Sequence, residues 1–213
     1  MKILVTAGPT REPIDAVRFL SNRSSGKMGY AVARAAVRRG HAVRLVSGPV
    51  ALAPPDGAAV TAVRTAADML EAVRANLPWC DVLIMAAAVA DWRPVRPAAG
   101  KLKKRKMAPT LELERTADIL DAVRPHKGGR LLVGFAAETD AVEREARRKL
   151  VAKGLDLIVA NDVGREDAGF EADTNRVTFL APDGTSDALP LLGKDEVAER
   201  LLDRVEAARA SAA

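Results

Sequence analysis

Five short runs of apolar residues, separated by segments with helical periodicity, constrain the fold of this chain more than any other feature of its sequence. We predict strands at 3–7, 42–47, 82–88, 131–136 and 155–160, and helices at 28–39, 66–77, 118–124 and 140–153. Strands that are apolar along their whole length are typical of a parallel sheet with helices packed on both faces. The sequence therefore predicts an α/β domain with a mostly parallel central sheet.

The final part of the chain follows a different pattern. Residues 176–180 and 188–192 flank the turn sequence Pro182-Asp183-Gly184, which predicts a hairpin, and a helix is expected from about 194 to 209. The length of 213 residues suits one large domain. We therefore interpret residues 1–213 as a single domain whose C-terminal hairpin and helix occupy about 175–209.

Two connections are longer than a compact α/β domain requires, because its βα turns usually need only about 2–6 residues. Residues 9–25 separate the first strand from its helix, and residues 90–109 follow the third strand. Both begin at the carboxyl end of a strand, which is the edge where open α/β sheets bind ligands. We expect the functional site at this edge, with residues of about 92–110 forming a flap.

The composition favours an anionic ligand and a reducing environment. The chain has 33 basic and 28 acidic residues, a net charge of +5, and only 3% aromatic residues, which poorly supplies a stacking surface for nucleic acid. The single cysteine, Cys80, cannot form an internal disulfide, which favours a cytoplasmic location. Two histidines leave little room for a histidine-based triad or metal cluster, and no apolar run is long enough to span a membrane.

The first candidate motif is Ser24-Ser25-Gly26-Lys27-Met28-Gly29, which opens the first predicted helix. Backbone N–H groups at a helix start favour an anion, the glycines allow a phosphate to approach, and Lys27 adds positive charge. The motif is not a P-loop, which would need Gly at position 21 and Ser or Thr at 28, and the Gly-x-Gly-x-x-Gly fingerprint of dinucleotide-binding folds is absent. An ordinary capped helix start is the alternative interpretation.

The second motif is Lys101-Leu102-Lys103-Lys104-Arg105-Lys106, the densest charge in the chain. Five cations within six residues repel one another unless an anion lies near. A solvated loop, a charged edge strand and a nucleic-acid contact are the alternatives. The position after the third strand favours a flap that places lysines over the phosphates of a nucleotide.

Two further segments follow the third and fourth predicted strands. The small residues of Ala86-Ala87-Ala88 allow a flat ring to lie against the backbone, and Asp91 is suited to accept from a base or bind a metal, with a helix cap as the alternative. Lys149 and Lys153 lie on one helix face, where they either bracket a ligand or are solvated. Asn161-Asp162 ends the fifth strand and is expected to form a turn or a cap.

Each of these motifs is a weak signal by itself, but the whole series in this order along the chain is a specific one. The series resembles bacterial phosphopantothenate–cysteine ligase, and the likeness covers about residues 3–205. The segments that carry it are GPTREP (8–13), VRFLSNRSSGKMG (17–29), VSGPV (46–50), AAVAD (87–91), KLKK (101–104), VGFAAET (133–139) and ANDV (160–163).

The resemblance implies a Rossmann-like three-layer sandwich and a ligase of coenzyme A biosynthesis. In that family CTP activates the carboxylate of 4′-phosphopantothenate as an acyl-cytidylate, releasing diphosphate, and the amine of L-cysteine then displaces CMP. The resemblance also implies Mg²⁺ (or Mn²⁺), a homodimer with the flap near the subunit interface, and in many bacteria a fusion to a flavin-dependent decarboxylase. We expect no flavin in this chain and no nucleic-acid or membrane partner.

The resemblance also assigns residues to roles. Lys101 matches the catalytic flap lysine and neutralises charge as diphosphate leaves, Asn22 matches the asparagine that converts the intermediate, and Arg18 matches an arginine of the same step. Asp91 is the tentative protein ligand of the metal, with phosphate and water as the others. The motif and the family together give the predicted nucleotide-binding residues Ser24, Ser25, Gly26, Lys27, Met85, Ala86, Ala87, Asp91, Lys101, Ala117, Asp118, Ile119, Leu120, Phe135, Lys149 and Lys153.

Two features qualify this interpretation. Thr116-Ala117 stands where the family usually has Asn-Pro, so the contacts of that loop are expected to differ. An NAD(P)-dependent reductase would share the fold, but Tyr30 is followed four residues later by Arg34, so the Tyr-x-x-x-Lys pair of such enzymes is missing. A nucleic-acid-binding module that uses residues 101–106 is the third hypothesis.

Overall fold

The computed structural model describes residues 1–106, 110–138, 140–162 and 172–211. Its strands are β1 Lys2–Ala7, β2 Arg11–Pro13, β3 Phe19–Ser21, β4 Ala42–Ser47, β5 Ala58–Ala62, β6 Val82–Met85, β7 Trp92–Pro94, β8 Leu113–Arg115, β9 Leu131–Glu138, β10 Leu157–Asp162, β11 Thr174–Asn175, β12 Val177–Leu180, β13 Ser186–Ala188 and β14 Leu192–Gly193. Its α-helices are α1 Lys27–Arg38, α2 Ala66–Asn76, α3 Ile119–Val123, α4 Val142–Lys153 and α5 Lys194–Ser211, and 3₁₀ turns lie at Leu77–Trp79, Lys104–Lys106 and Arg124–His126.

Eight strands form one central sheet in the order β13-β12-β10-β9-β6-β1-β4-β5. The six strands from β5 to β10 are parallel, and β12 and β13 are antiparallel. Numbered among themselves along the chain, the parallel strands run 3-2-1-4-5-6, which is the Rossmann order. The order reverses at β1, where Ile3 pairs with Val43 on one side and Val82 on the other. The predicted Rossmann-like α/β sandwich is confirmed.

Helices cover both faces of this sheet. In β1, Ile3 and Val5 face a core cluster shared with α1 and α5, whereas Leu4 faces a second cluster that includes Met69 of α2 and Leu150 of α4. A strand that buries both faces needs apolar side chains at every position, which explains the uninterrupted apolar runs of the sequence. Among the described residues, no helix is both long enough and apolar enough to cross a membrane.

Ion pairs fasten α5 along α1. Arg38 contacts Glu199 at 2.6 Å, and Arg39 contacts Glu199 and Asp203, each at 2.8 Å. Beneath these pairs, apolar side chains of α5 such as Leu201 are fully buried. Residues of α5 from Lys194 to Val205 are therefore packed against the domain, and Lys194 lies at the carboxyl edge of the sheet.

The strand predicted at 82–88 is shorter than expected and ends at Met85. Beyond it, the Ala87 N–H donates to Thr6 Oγ1 at 3.2 Å and the Ala88 N–H donates to the Gly8 carbonyl at 2.9 Å. The chain therefore leaves the ladder with β9 and bonds instead to the end of β1 and to the loop that follows it. This bend opens the sheet edge beside Ala86.

The structure differs from the sequence-based prediction at two strands near the edges of the sheet. Strand β5 was not predicted, because Ala58–Ala62 is a largely exposed edge strand with a single large apolar side chain. The second arm of the C-terminal hairpin is Ser186–Ala188 rather than 188–192, because the Ala181 N–H donates to the Thr185 carbonyl and this tight turn aligns Leu180 with Ser186.

The two long connections form paired ribbons. Strands β2 and β3 pair within the first connection, β7 pairs with β8 across the second, and β2 lies beside β7. We call these three segments, residues 11–21, 92–106 and 110–115, the arm. The predicted flap of about 92–110 belongs to the arm, and residues 107–109 lie outside the described residues. The arm exposes large apolar side chains, namely Val17, Phe19, Trp92, Val95, Leu111 and Leu113.

Candidate active site

A cavity of about 590 Å³ opens at the carboxyl edge of the sheet, beside the point where the strand order reverses. This volume lies within the range of small-molecule sites, and the location is the one where doubly wound sheets bind ligands. The predicted site residues that line it are Asn22, Ser24, Gly26, Lys27, Met85, Ala86, Ala87, Asp91, Ala117, Asp118, Ile119, Leu120, Phe135 and Lys149. Segments from distant parts of the sequence therefore converge on one cavity.

The start of α1 forms one wall of the cavity. Gly26 precedes the helix in a left-handed conformation, with φ 79°, and no described side chain caps the helix. A Cβ at Gly29 would lie 2.6 Å from Ala7 Cβ, so the missing side chain lets α1 begin directly against the end of β1. Lys27 lines the cavity and contacts Asp173 Oδ1 at 2.5 Å. Such a helix start is suited to an anion, and anion binding here stays a prediction.

The loop after β6 forms the floor. The Thr10 N–H donates to the Ala88 carbonyl at 3.2 Å, and Asn22 Nδ2 donates to the same oxygen at 3.0 Å. Asn22 is therefore anchored to the backbone of Ala86–Ala88, whose small side chains leave the peptide groups accessible from the cavity.

The start of α3 forms another wall of the cavity and is held by a network of ion pairs. Asp118 caps the helix by accepting from the Asp121 N–H at 3.0 Å, and Lys153 Nζ contacts Asp118 Oδ2 at 2.8 Å and Asp121 Oδ2 at 2.6 Å. Burial alone would raise the pKa of the Asp118 carboxyl, but the Lys153 ammonium and the backbone N–H groups of Asp121 and Leu120 together outweigh it, and the pKa lies below its ordinary value. Lys149 reaches the cavity and contacts Glu138 at 2.6 Å, whereas Lys153 does not line it.

The predicted residues Ser25, Lys101 and Arg18 also lie outside the cavity lining. Arg18 contacts the buried Asp15 at 2.5 Å and donates to the Leu102 carbonyl at 3.1 Å, and Asp15 accepts from the Leu102 N–H at 3.1 Å. The Arg18 guanidinium holds the pKa of the Asp15 carboxyl well below its ordinary range. Asp15 and Arg18 therefore bind the backbone of the flap at Leu102, next to the exposed Lys101.

Several lining residues were not singled out by the sequence. These are Arg115, Asn175 and Lys194, while Asn161 was interpreted only as a turn or cap. Burial lowers the pKa of the Lys194 ammonium to about 8, and the neighbouring Lys27 acts in the same direction. Asn161 could have been found from its position at the end of a strand, whereas Asn175 and Lys194 carry no local signal.

The described side chains offer little for a metal by themselves. No group of three or more His, Cys, Asp and Glu residues that could hold a metal ion occurs in the described ranges. Asp91 lines the cavity and its side chain is exposed, while its carbonyl accepts from the Thr116 N–H at 2.9 Å. A divalent cation in this cavity would therefore depend on oxygens supplied by its ligand and by water.

The strand order and a cavity at its reversal point define a class, the Rossmann-like α/β domains that bind a small molecule at the carboxyl edge of the sheet. Within this class, residues 1–208 match the family described as DNA/pantothenate metabolism flavoprotein C-terminal domain. The chain therefore belongs to that family.

Similar proteins agree with this assignment. The coenzyme A biosynthesis bifunctional protein CoaBC of Bacillus subtilis is 51% identical over 206 residues, which cover 96% of this chain and 51% of that protein. The crystal structure of the C-terminal domain of a CoaBC protein is 48% identical, with a TM-score of 0.83 over 96% of this chain and 93% of that one. A mutant of Cab2 in complex with phosphopantothenate-cysteine is 16% identical, with a TM-score of 0.79 over 99% and 87%, which shows the fold alone.

This chain spans about half the length of the curated relatives that it matches. Those relatives are named as bifunctional proteins, so the matched half corresponds to one part of each.

Proposed function

We propose that this chain is a phosphopantothenate–cysteine ligase that acts in coenzyme A biosynthesis in the cytoplasm and uses CTP to activate the acid. The observation that carries the proposal is the convergence of the motif series on one cavity, where Asn22, Ala86–Ala87 and Phe135 line the same space. Membership of the pantothenate-metabolism family and the similarity to CoaBC proteins support the same conclusion.

The first half-reaction joins two anions, so positive charge must offset their repulsion. A carboxylate oxygen of 4′-phosphopantothenate bonds to the α-phosphorus of CTP, and diphosphate leaves with the electron pair of the broken P–O bond. The start of α1 and Lys27 bind the phosphates, and support for this comes from the uncapped helix end and the ammonium group on the cavity wall. Cytosine lies against the peptide groups of Ala86–Ala87, beside Asp118 and Phe135.

In the second half-reaction the amine of L-cysteine attacks the acyl carbon, and CMP departs. The oxyanion that forms needs a hydrogen-bond donor that is already in place. Asn22 supplies it, and support comes from the bond between Asn22 Nδ2 and the Ala88 carbonyl, which fixes the carboxamide at the cavity. No side-chain nucleophile is required, in agreement with Cys80, whose thiol is buried and has its pKa raised by burial to about 11.

Mg²⁺ (or Mn²⁺) neutralises phosphate charge when bound with CTP. The residues fit a cation that arrives with the nucleotide, because Asp91 offers a carboxylate at the rim and two buried carboxamide oxygens in the cavity accept no hydrogen bond from any described residue. Asp91 would hold the hydrated cation.

A second copy of the chain completes the site in this proposal. Lys101 and Arg18 lie on the arm rather than in the cavity of their own chain, and the arm exposes Phe19, Val95 and Leu113. Several exposed large apolar side chains on one segment favour a protein–protein contact. We therefore expect a homodimer in which the partner subunit's Lys101 and the partner subunit's Arg18 reach the activated acid.

The remaining half of the relatives' length is the proposed place of a flavin-dependent decarboxylase fused to or associated with this domain. Such an enzyme would act on the product of the ligase, and we assign no flavin to the present chain.

The test uses purified protein with 4′-phosphopantothenate, L-cysteine, Mg²⁺ and one nucleotide at a time. We expect diphosphate release with CTP that depends on the acid and exceeds the release with ATP or UTP. Absence of diphosphate release with all three nucleotides would refute the ligase. Tight NADPH binding without CTP binding would favour the reductase instead.

A further inference from the structure

One corner of the cavity holds three buried polar side chains, none of which the proposed function assigns to a substrate. Lys194 begins α5, Asn175 lies in β11 and Asn161 lies in β10, and all three line the cavity together with Lys27. We call Asn161, Asn175 and Lys194 the C-terminal corner. Their exposed fractions are 9%, 3% and 7%. Polar groups buried to this degree normally have partners, because their desolvation is costly.

Backbone pairing fixes the corner in place. Strand β11 pairs with β14 so that Thr174 lies opposite Gly193 and Asn175 opposite Leu192. The Lys194 N–H then donates to the Asp173 carbonyl at 3.0 Å. Asn175 and Lys194 are therefore held next to each other by a short ribbon and a helix start, which is the rigidity that a binding site requires.

Lys194 of the corner and the neighbouring Lys27 together favour an anion. Lys194 Nζ donates to the Ala172 carbonyl at 2.5 Å, and Lys27 contacts Asp173 at 2.5 Å. Burial is the larger cause of the lowered pKa of Lys194, and repulsion by Lys27 is the second. Attraction to Asp173 acts in the opposite direction and raises the pKa. Two ammonium groups that repel each other in a partly buried space are stabilised by an anion that contacts both.

The carboxamide oxygens of the corner need hydrogen-bond donors. Asn161 Oδ1 and Asn175 Oδ1 accept no hydrogen bond from any described residue. Phosphate oxygens cannot satisfy them, because those oxygens are also acceptors. Water bound to Mg²⁺ is a donor, and Mg²⁺ keeps several waters when it binds phosphates. The corner therefore combines cations for phosphate oxygens with acceptors for the hydration shell of a metal.

We propose that the C-terminal corner binds the terminal phosphates of a nucleoside triphosphate as their magnesium complex. The proposal deepens the proposed function and rests on it for the identity of the nucleotide. As the acid's carboxylate oxygen bonds to the α-phosphorus, the bond to the bridging oxygen breaks and diphosphate carries away the electron pair. Lys194 stabilises the charge that gathers on this diphosphate, while Asn161 and Asn175 accept from the waters of the cation.

Isothermal titration calorimetry of the full chain tests this directly, with inorganic diphosphate as the probe in Mg²⁺ and again in EDTA. Lys194→Met should weaken diphosphate binding by about tenfold or more, because it removes a charge-assisted hydrogen bond. Asn175→Leu should weaken binding in Mg²⁺ and leave binding in EDTA unchanged. Lys127→Met is the matched control, because Lys127 contacts Asp156 away from the cavity and its loss changes the net charge equally. Thermal unfolding verifies that each variant is folded.

Two results would overturn the proposal. One is a Lys194→Met chain that binds diphosphate as tightly as Lys127→Met, and the other is an Asn175→Leu chain that keeps the full gain in affinity from Mg²⁺. Inorganic diphosphate contains neither the base nor the acid, so these titrations do not depend on ligase activity. If the chain shows no ligase activity but its diphosphate binding still requires Lys194, the proposed function is refuted and the proposal for the C-terminal corner is not.

Discussion

At the scale of single residues, Asn22 and Lys101 are held in contrasting ways. Asn22 Nδ2 donates to the Ala88 carbonyl, so its carboxamide is fixed at the cavity, whereas Lys101 lies on the arm outside the cavity lining. A fixed carboxamide suits an oxyanion that forms at one point, because a preorganised donor needs no rearrangement. An exposed cation suits charge that departs with a leaving group. The two side chains are therefore expected to serve different half-reactions.

We predict that Asn22→Ala forms the acyl-cytidylate but stalls before the amide, whereas Lys101→Ala fails to form the intermediate. Amide formation by Asn22→Ala should fall by about a hundredfold, the effect of removing one oxyanion donor. Mass spectrometry of quenched reactions separates the two species. Lys103→Ala, two residues along the same flap, is the control, and loss of the intermediate in Asn22→Ala would contradict this division.

Gly29 gives a prediction for stability. A Cβ at this position would lie 2.6 Å from Ala7 Cβ and 2.9 Å from the Thr6 carbonyl oxygen, so α1 must move away from β1 to accommodate it. We expect Gly29→Ala to lower the free energy of unfolding by about 1–3 kcal/mol and to weaken CTP binding. Urea denaturation measures the first effect. Gly129→Ala is the control, because a Cβ there meets nothing within 4 Å, and equal stabilities of the two variants would refute the prediction.

At the scale of elements, the arm is fastened by one buried carboxylate. Asp15 accepts from the N–H groups of Val17 and Arg18 at 2.8 Å and from the Leu102 N–H at 3.1 Å. It thereby joins the β2–β3 ribbon to the flap that carries Lys101. Arg18 completes the contact through the Leu102 carbonyl, so in this structure its guanidinium positions the flap.

We predict that Asp15→Asn frees the flap without unfolding the sheet. The neutral amide is a weaker acceptor for Arg18 and for the Leu102 N–H, so hydrogen exchange at Leu102 should become faster while exchange within β1 is unchanged. Mass spectrometry of exchanged peptides measures this. Asp183→Asn is the control, because Asp183 accepts from the Thr185 N–H in a remote turn. Unaltered exchange at Leu102 in Asp15→Asn would contradict the assignment.

The same carboxylate predicts a dependence on pH. Its pKa in the folded chain lies below the ordinary value of 3.8, so its contribution to stability is present above about pH 4 and is lost as pH falls through the folded pKa. The difference in unfolding free energy between the wild type and Asp15→Asn should therefore be constant from about pH 5 to 7 and shrink below about pH 4. Urea denaturation at several pH values measures it, and a constant difference down to about pH 2 would count against it.

At the scale of the whole molecule, the sequence predicted the interior better than the periphery. The largely apolar sequences of β1 and β6 predict strands that are buried on both faces, whereas the sequence of the edge strand β5 has no such pattern. Motifs at the carboxyl ends of parallel strands were expected at one edge, and most of their predicted site residues line one cavity there. The C-terminal corner could not be predicted, because contacts such as that between Lys27 and Asp173 span 146 residues and exist only through the sheet order and the packing of α5.

The proposed dimer gives a prediction for mixed subunits. If the flap serves the cavity of the partner subunit, a heterodimer of Lys101→Ala and Asn22→Ala chains has one site in which both residues are intact. Random reassociation of the two inactive chains should then restore about a quarter of the wild-type activity. Steady-state assays before and after mixing measure this. The absence of recovery, with subunit exchange demonstrated by mass, would show that each flap serves its own chain.

The position of α5 has a consequence for the order in which the molecule is made. Lys194 at its first turn forms part of the cavity wall, and α5 is translated after every other described helix and strand. The six parallel strands and the start of α1 are therefore translated before the corner that faces them can form. During synthesis a nascent chain would therefore pass through a stage in which the parallel strands are paired while the pocket beside them still lacks the wall that α5 supplies.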